Sequence, residues 1–191
     1  MRIISGKFGG RKLTPFKADH IRPTTDRVKE VIFNKLMGEM EGARVLDLFS
    51  GTGSLAFEAV SRGAGHVVAV EKNLKSIEII KKNCELLKVS ATELTVVKKD
   101  VLSYLKGPFP QGYDIILIDP PFTEAMADEV MAALGQSELA RFPTKIFIEA
   151  GKKETLAPSY GSIQMIDKKD YGDKHLGIYQ VVVGSGPSGA E

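Results

Sequence analysis

Asp119-Pro120-Pro121-Phe122 sets a carboxylate, an imide carbonyl and an aromatic face within four residues, directly after the apolar run Tyr113-Asp114-Ile115-Ile116-Leu117-Ile118. Each proline lacks an amide proton and holds the residue before it in extended geometry, so the tetrapeptide reads as a stiff bend leaving a buried strand. Such a bend suits a planar exocyclic amine. The lone pair of that kind of amine is delocalised into its ring. Two fixed acceptors, the Asp119 carboxylate and the Pro120 carbonyl, would hold its two hydrogens, draw the nitrogen toward tetrahedral geometry and aim the lone pair at an electrophile. A carboxylate already in place stabilises the positive charge that develops on nitrogen, more in the transition state than in the ground state. Phe122 would stack on the ring, an interaction of about 1–3 kcal/mol in single-strand binders. The competing reading is a plain proline turn ahead of a helix, with Phe122 as a core residue.

A second run, Asp47-Leu48-Phe49-Ser50-Gly51-Thr52-Gly53, also follows an apolar stretch, and its glycines allow a tight turn that a nucleoside cofactor can approach. Gly51-Thr52-Gly53-Ser54-Leu55-Ala56 fits the dinucleotide fingerprint as well, so a nicotinamide enzyme must be weighed. In that reading a pyrophosphate rests on the helix that begins near Ser54, and Glu71 binds ribose hydroxyls. With S-adenosylmethionine, which has no phosphate, the glycines only clear space. Asp47 favours the second reading: an acid ending the strand repels a pyrophosphate, yet accepts from an ammonium group or from a water bridging to one. Glu71 keeps its role in both readings, since one carboxylate accepts from two vicinal hydroxyls; its plain alternative is an acid in the first turn of a helix. Asp100, with Val101 after it, follows the third strand, where its side chain could accept from an adenine amino group while the Val101 amide donates to the ring. A helix N-cap is the other reading of Asp100.

Positioning these groups takes an alternating α/β chain. Apolar runs at Ala43–Leu48, His66–Glu71, Leu94–Lys98, Tyr113–Asp119, Lys145–Glu149, Gln164–Lys168 and Ile178–Val183 read as strands. Helical stretches at Leu55–Arg62, Leu74–Leu87, Val101–Lys106 and Glu124–Leu134 separate the first five. This rhythm implies right-handed crossovers and a mostly parallel sheet covered on both faces. The last two strands, joined by a short loop, imply an antiparallel hairpin at one edge. Ahead of the sheet, Thr24 to Met40 has the spacing of an amphipathic helix capped by Thr24 or Thr25, and Arg2–Ser5 with Arg11–Thr14 form a small ribbon across Gly9-Gly10. The expected divisions are 1–42 for ribbon and helix, 43–183 for the sheet domain, and 184–191 for a disordered glycine and serine tail.

A chain of 191 residues that is 43% hydrophobic supports one core and leaves no room for a second catalytic domain. Its opening, Met1-Arg2-Ile3-Ile4-Ser5-Gly6, lacks the apolar run of a signal peptide, and no segment has the roughly 18 apolar residues of a membrane span, so a cytoplasmic location is expected. Cys84 is the only cysteine, which excludes disulfide frameworks and thiolate metal sites, and His20, His66 and His175 have no ligating spacing. The first thirty residues carry eight bases against three acids, while the whole chain is only +2; the basic end is a candidate phosphate-contacting arm or simply a solvated surface.

The two motifs, Glu71 and the segment Arg22-Pro23-Thr24-Thr25-Asp26-Arg27-Val28-Lys29-Glu30 together resemble the bacterial 16S ribosomal RNA guanine-N2 methyltransferases of the RsmD type, over about Arg2 to Val183. The resemblance implies the Rossmann-like, seven-stranded S-adenosylmethionine-dependent methyltransferase sheet, with S-adenosyl-L-methionine as cofactor. It implies that Asp119, Pro120, Pro121 and Phe122 hold the guanine amine, and that Asp47, Phe49, Ser50, Gly51, Thr52, Gly53, Glu71, Lys72, Asp100 and Val101 line the donor. Arg22, Thr24 and Arg27 would lie over the site near the donor's methionine end or the RNA. Lys7, Arg11 and Lys12 would contact RNA phosphates, and the loop around Tyr171 and Gly172 would help close the pocket. The implied partner is 16S ribosomal RNA, naked or within an assembled small subunit, with no membrane, no metal and a monomeric chain. An amino-methyltransferase acting on DNA would usually need a recognition domain for which this chain has no length, and one acting on protein glutamine commonly has Asn where Asp119 stands. A nicotinamide oxidoreductase would make the acceptor motif an accident, and a non-catalytic scaffold would predict damage that neither site shows.

Overall fold

The computed structural model describes residues 1–15, 26–121 and 124–183. Its elements run α1 (Asp26–Lys35), β1 (Arg44–Leu48), α2 (Ser54–Ser61), β2 (His66–Glu71), α3 (Leu74–Leu87), β3 (Leu94–Lys98), α4 (Val101–Leu105), β4 (Ile115–Ile118), α5 (Ala127–Gly135), β5 (Lys145–Gly151), β6 (Ser159–Tyr160), β7 (Ile163–Tyr171) and β8 (Lys174–Val181). One sheet holds all eight strands in the order β3-β2-β1-β4-β5-β8-β7-β6. β1 to β5 are parallel, and β8, β7 and β6 add antiparallel to the β5 side. Strand order reverses between β1 and β4, so the crevice beyond their carboxyl ends is where an open sheet of this kind takes ligands.

Both faces are covered. Val45, Val67, Ala69, Ile115, Leu117 and Phe147 pack with Ile32, Phe33, Phe57 and Ile80, from α1, α2 and α3. From the other face Leu46, Leu48, Val70, Ile116 and Ile118 meet Leu105, Val130, Met131 and Leu134, from α4 and α5. Strand alternation therefore carries one odd-even code through the sheet: Asp47, Asp119 and Glu149 share the α1-α2-α3 face.

All seven expected strands form, and the two-residue β6 is the eighth. β7 and β8 are longer than their apolar runs because a two-residue turn, Gly172-Asp173, lets Tyr171 pair with Lys174; the charged residues of half-exposed β7, and the buried Lys174 and His175 that open β8, hide that extension from a reading of hydrophobicity. The first helix was expected to run to Met40. It ends at Lys35 because Gly38 adopts φ 83°, and the chain turns through Met37 N–H to Asn34 O and Glu39 N–H to Leu36 O while Leu36 and Met40 stay buried. α5 begins at Ala127 rather than Glu124: Ala125 has φ 46°, and the Ala127 amide is capped by the Glu154 carboxylate at 3.0 Å. The expected helix start at Thr24 and the tail at 184–191 lie outside the described residues.

The N-terminal ribbon is a two-stranded loop, with Arg2 bridged to Lys12 and Ile3 N–H to Arg11 O at 2.9 Å. Ile3 and Leu13 enter the core on the α1-α2-α3 face. Its anchor is α2: the Glu58 carboxylate, with no exposed surface, accepts from Ile4 N–H at 2.7 Å and Ser5 N–H at 3.1 Å. Lys29, also fully buried, donates to Arg2 O at 2.6 Å and lies 3.7 Å from Glu58, and Arg62 adds a 2.8 Å bond to the same carboxylate. Among the described residues no helix is long and apolar enough to cross a membrane.

Candidate active site

β1 ends in a turn that ordinary residues resist. Phe49 has φ 62°, Gly51 55° and Gly53 82°, and a bulky residue held at positive φ stores strain that its surroundings must offset. Gly53 is required twice over. Beyond its φ, a Cβ there would lie 2.8 Å from the Phe57 ring and 3.3 Å from Ile80 Cγ1. Hydrogen bonds from Ser50 N–H to Val70 O at 3.0 Å and from Gly53 N–H to Ser50 O at 2.8 Å close the turn.

Asp47 sits beneath that turn and is 1% exposed. Its Oδ2 accepts from Ser50 Oγ at 2.7 Å and from Ala56 N–H at 3.1 Å, so a strand residue supplies the cap that Gly53, at the N-terminus of α2, cannot provide. Oδ1 is buried without a hydrogen-bond partner. Burial pushes the Asp47 carboxyl up to about 7, and the nearby charges of Asp119 and Glu71 push the same way, against the Ser50 and Ala56 bonds. Its contribution to fold stability is thus fully present below about 3.8 and is lost as the pH climbs through about 7. An unpaired, buried acceptor beside a glycine turn fits a ligand that brings a hydrogen-bond donor.

Glu71 joins β2 to the same turn. Oε2 accepts from Gly51 N–H at 2.8 Å and Oε1 from Asn73 N–H at 2.7 Å. Each carboxylate oxygen has two lone pairs, so this latch orients the group and leaves capacity for two hydroxyls. Lys72 next to it is exposed and reaches loosely toward Asp100 at 3.9 Å and Glu124 at 4.0 Å. Asp100 does cap α4, accepting from Ser103 N–H at 3.2 Å through Oδ1, while Oδ2 is the atom nearest Lys72. The Val101 side chain is core, 3% exposed.

The acceptor bend leaves β4 beside the end of β1. Asp119 N–H reaches Leu48 O at 3.4 Å, Pro120 is buried, and Pro121 O accepts from Glu124 N–H at 3.1 Å. The half-buried Asp119 therefore comes within electrostatic reach of Asp47. Phe122 lies outside the described residues, as do Arg22 and Thr24. Arg27 and Tyr171, far apart in sequence, meet with the guanidinium 5.9 Å from the ring centroid. Tyr171 also packs on the core of the α1-α2-α3 face and pairs with Lys174, itself opposite Gly151 at the carboxyl end of β5, so it stands at the strand ends on the β5 side of the sheet with Arg27 beside it.

The basic ribbon residues are exposed, but not equally available. Lys7 pairs with Glu93 and holds that carboxyl down to about 2, whereas Arg11 lies 5.9 Å from the Phe8 ring and Lys12 has no ion pair among the described residues. Among the described residues no group of three or more His, Cys, Asp or Glu could hold a metal ion.

Sequence reading missed four charged residues. Glu58 and Lys29 bind the ribbon to the sheet domain, and Glu149 and Lys174 form a buried pair at 2.9 Å. The two acids carry a signal, a charge inside an apolar run, as in Phe57-Glu58-Ala59-Val60 and Phe147-Ile148-Glu149-Ala150; Lys29 and Lys174 stand among polar neighbours and carry none.

Residues 1–180 match the family model described as conserved hypothetical protein 95. A ribosomal RNA small subunit methyltransferase D of Haemophilus influenzae is 37% identical over 157 residues, 82% of this chain and 81% of that protein. Its namesake from Escherichia coli K12 is 31% identical over 182 residues, 94% of this chain and 89% of its own length. The solved structure of yhhF from Escherichia coli, described as a methyltransferase, superposes with a TM-score of 0.83 at 29% identity, covering 95% of this chain and 97% of that one.

Proposed function

Because the chain belongs to the conserved hypothetical protein 95 family, of RsmD type, we propose that it methylates the exocyclic N2 amine of one guanine in 16S ribosomal RNA. The observation that carries the reading is a juxtaposition. The glycine turn after β1 and the proline bend after β4 leave neighbouring hydrogen-bonded strands at the point where strand order reverses. A donor and a planar amine bound in those two places meet.

When bound, S-adenosyl-L-methionine supplies a methyl group activated by a sulfonium. The residues fit it: Asp47 Oδ1 is a buried acceptor for the methionine ammonium, Glu71 is already oriented for ribose hydroxyls, and Asp100 with Val101 stands at the next strand end for adenine. A pyrophosphate on the glycine turn would instead meet the Asp47 carboxylate, which disfavours the nicotinamide reading; Glu71 suits a ribose in either. Asp119 and the Pro120 carbonyl hold the two amine hydrogens and fix the lone pair toward the donor. As the nitrogen gains positive charge the Asp119 carboxylate stabilises it, and the methylated ammonium then loses its proton to water without a strong base. Arg27 and Tyr171 stand at the rim where RNA enters, and the target base is extruded from its neighbours to reach the bend.

The test is transfer of labelled methyl groups to small subunits from cells lacking the corresponding gene, followed by mapping of the modified nucleotide. A product other than N2-methylguanine, or no product on subunits or on naked 16S RNA, would overturn the reading.

Asp47 gives the proposal a pH signature. Ionised, it attracts the donor's ammonium; protonated, it does not, so donor affinity should rise from about pH 6 to about 7.5, below the range where an α-amino group loses its own proton. Calorimetric titration at several pH values should show this rise for the parent protein and a flat profile for Asp47→Asn.

The ribbon gives an electrostatic signature. If Arg11 and Lys12 each neutralise a phosphate, replacing both by alanine should weaken RNA binding and reduce the slope of log affinity against log salt by about 1.4–1.8. An unchanged slope would make the ribbon's charge a solvated surface.

A further inference from the structure

Glu149 stands level with Asp119 across the adjoining ends of β4 and β5, one position beyond the paired Ile118 and Ile148. Alternation puts its side chain on the Asp119 face, and it is 2% exposed. Oε2 accepts from Lys174 Nζ at 2.9 Å across from β8, and Oε1 has no hydrogen-bond partner. Its neighbours Ile146, Phe147, Ile148 and Ala150 are all buried apolar residues, so packing alone does not call for an acid here. A buried carboxylate oxygen left unpaired carries its full desolvation cost. Its presence beside the amine-holding bend points to a donor that arrives with the substrate.

Nucleobase chemistry identifies that donor. In guanine the 2-amine adjoins N1–H, so an amine held at Asp119 brings a second donor beside it, with the O6 acceptor next along the same edge. In adenine and cytosine the ring nitrogen beside the exocyclic amine is an acceptor, which a carboxylate repels. The order Asp119, Glu149, Lys174 across β4, β5 and β8 runs parallel to the order N2 amine, N1–H, O6 on the Watson–Crick edge of guanine. Side chains of increasing length can converge on so short an edge.

Resting on the base-methylation reading above, we propose that Glu149 sets the choice of guanine by accepting its N1–H through the unpaired oxygen, while Lys174 holds the carboxylate in place and offers its charge toward O6. The base enters from the Asp119 side and takes the place of the atoms that cover Glu149. Discrimination then comes as much from repelling the wrong ring nitrogen as from binding the right one.

The test uses 2-aminopurine at the mapped position in reconstituted small subunits. This base keeps the 2-amine, replaces N1–H by an acceptor and lacks O6. The parent protein should favour guanine by about 10- to 100-fold in kcat/KM, the range of a hydrogen bond to a charged group. In Glu149→Gln, whose amide can donate to an acceptor nitrogen, the preference should collapse toward unity with calorimetric donor affinity unchanged. Because that variant leaves the Lys174 ammonium buried, the charge-balanced Glu149→Gln/Lys174→Met pair is measured beside it, and it should lose the preference too. Folded variants that keep the parent's preference overturn the Glu149 assignment alone. Failure of the parent protein to methylate any guanine N2 overturns the base-methylation reading and this inference with it.

Discussion

Asp119→Ala should lower the rate of methyl transfer by about 10²–10³-fold, the cost of removing one fixed group that stabilises charge developing in a transition state. Donor affinity should stay near that of the parent, because Asp119 follows β4 while the donor contacts proposed above lie at the ends of β1, β2 and β3. One refinement follows from its neighbours. Asp119 contributes to the raised Asp47 carboxyl, so removing its charge should let Asp47 ionise at a lower pH and move the pH dependence of donor binding the same way. Asp119→Asn retains an acceptor oxygen but not the charge and should fall between alanine and the parent. Single-turnover transfer with labelled donor, alongside calorimetry, separates the two effects. Turnover of the alanine variant close to the parent's would remove Asp119 from the chemistry.

Glu58→Ala should destabilise the fold by about 3–5 kcal/mol, the range for breaking a buried ion pair from one side. The change strands Lys29, whose ammonium burial already holds below its ordinary range against the pull of Glu58. It also leaves the Ile4 and Ser5 amides without their acceptor. Glu58→Gln keeps the shape and one acceptor oxygen and should cost less, and Glu58→Leu combined with Lys29→Met removes both charges and should recover much of the loss. Thermal unfolding of the three variants checks the order. An alanine variant as stable as the parent would mean that the ribbon is held without Glu58, by the burial of Ile3 and Leu13 and by the bonds of Ser61 and Asn83 to it.

Much of this was legible in the residues because the signals were local. Alternating apolar runs marked β1 to β5, and the glycine and proline motifs named the two strand ends that the sheet brings together. What escaped notice was long-range. Gly38 ending α1 and Glu154 capping α5 act through backbone geometry and a partner remote in sequence, which periodicity does not register. Glu58 and Glu149 were overlooked for the opposite reason: each sits in an otherwise convincing apolar pattern, where one acid looks like noise. Asp47 and Asp119 were read because glycine and proline followed them. The same logic, a charge that an apolar run would exclude, applied equally to the two that were missed.

The central place of β1 also bears on how the molecule comes into being. Its partners on either side are β2, made soon after it, and β4, made only after β3 and α4, so the strand that carries the glycine turn must tolerate an open flank while the intervening chain is laid down. Closing so distant a contact is entropically slow. Growing chains halted before Ile115 would display a bare, apolar parallel edge, and the two halves of the proposed reaction centre would mature together in one late step.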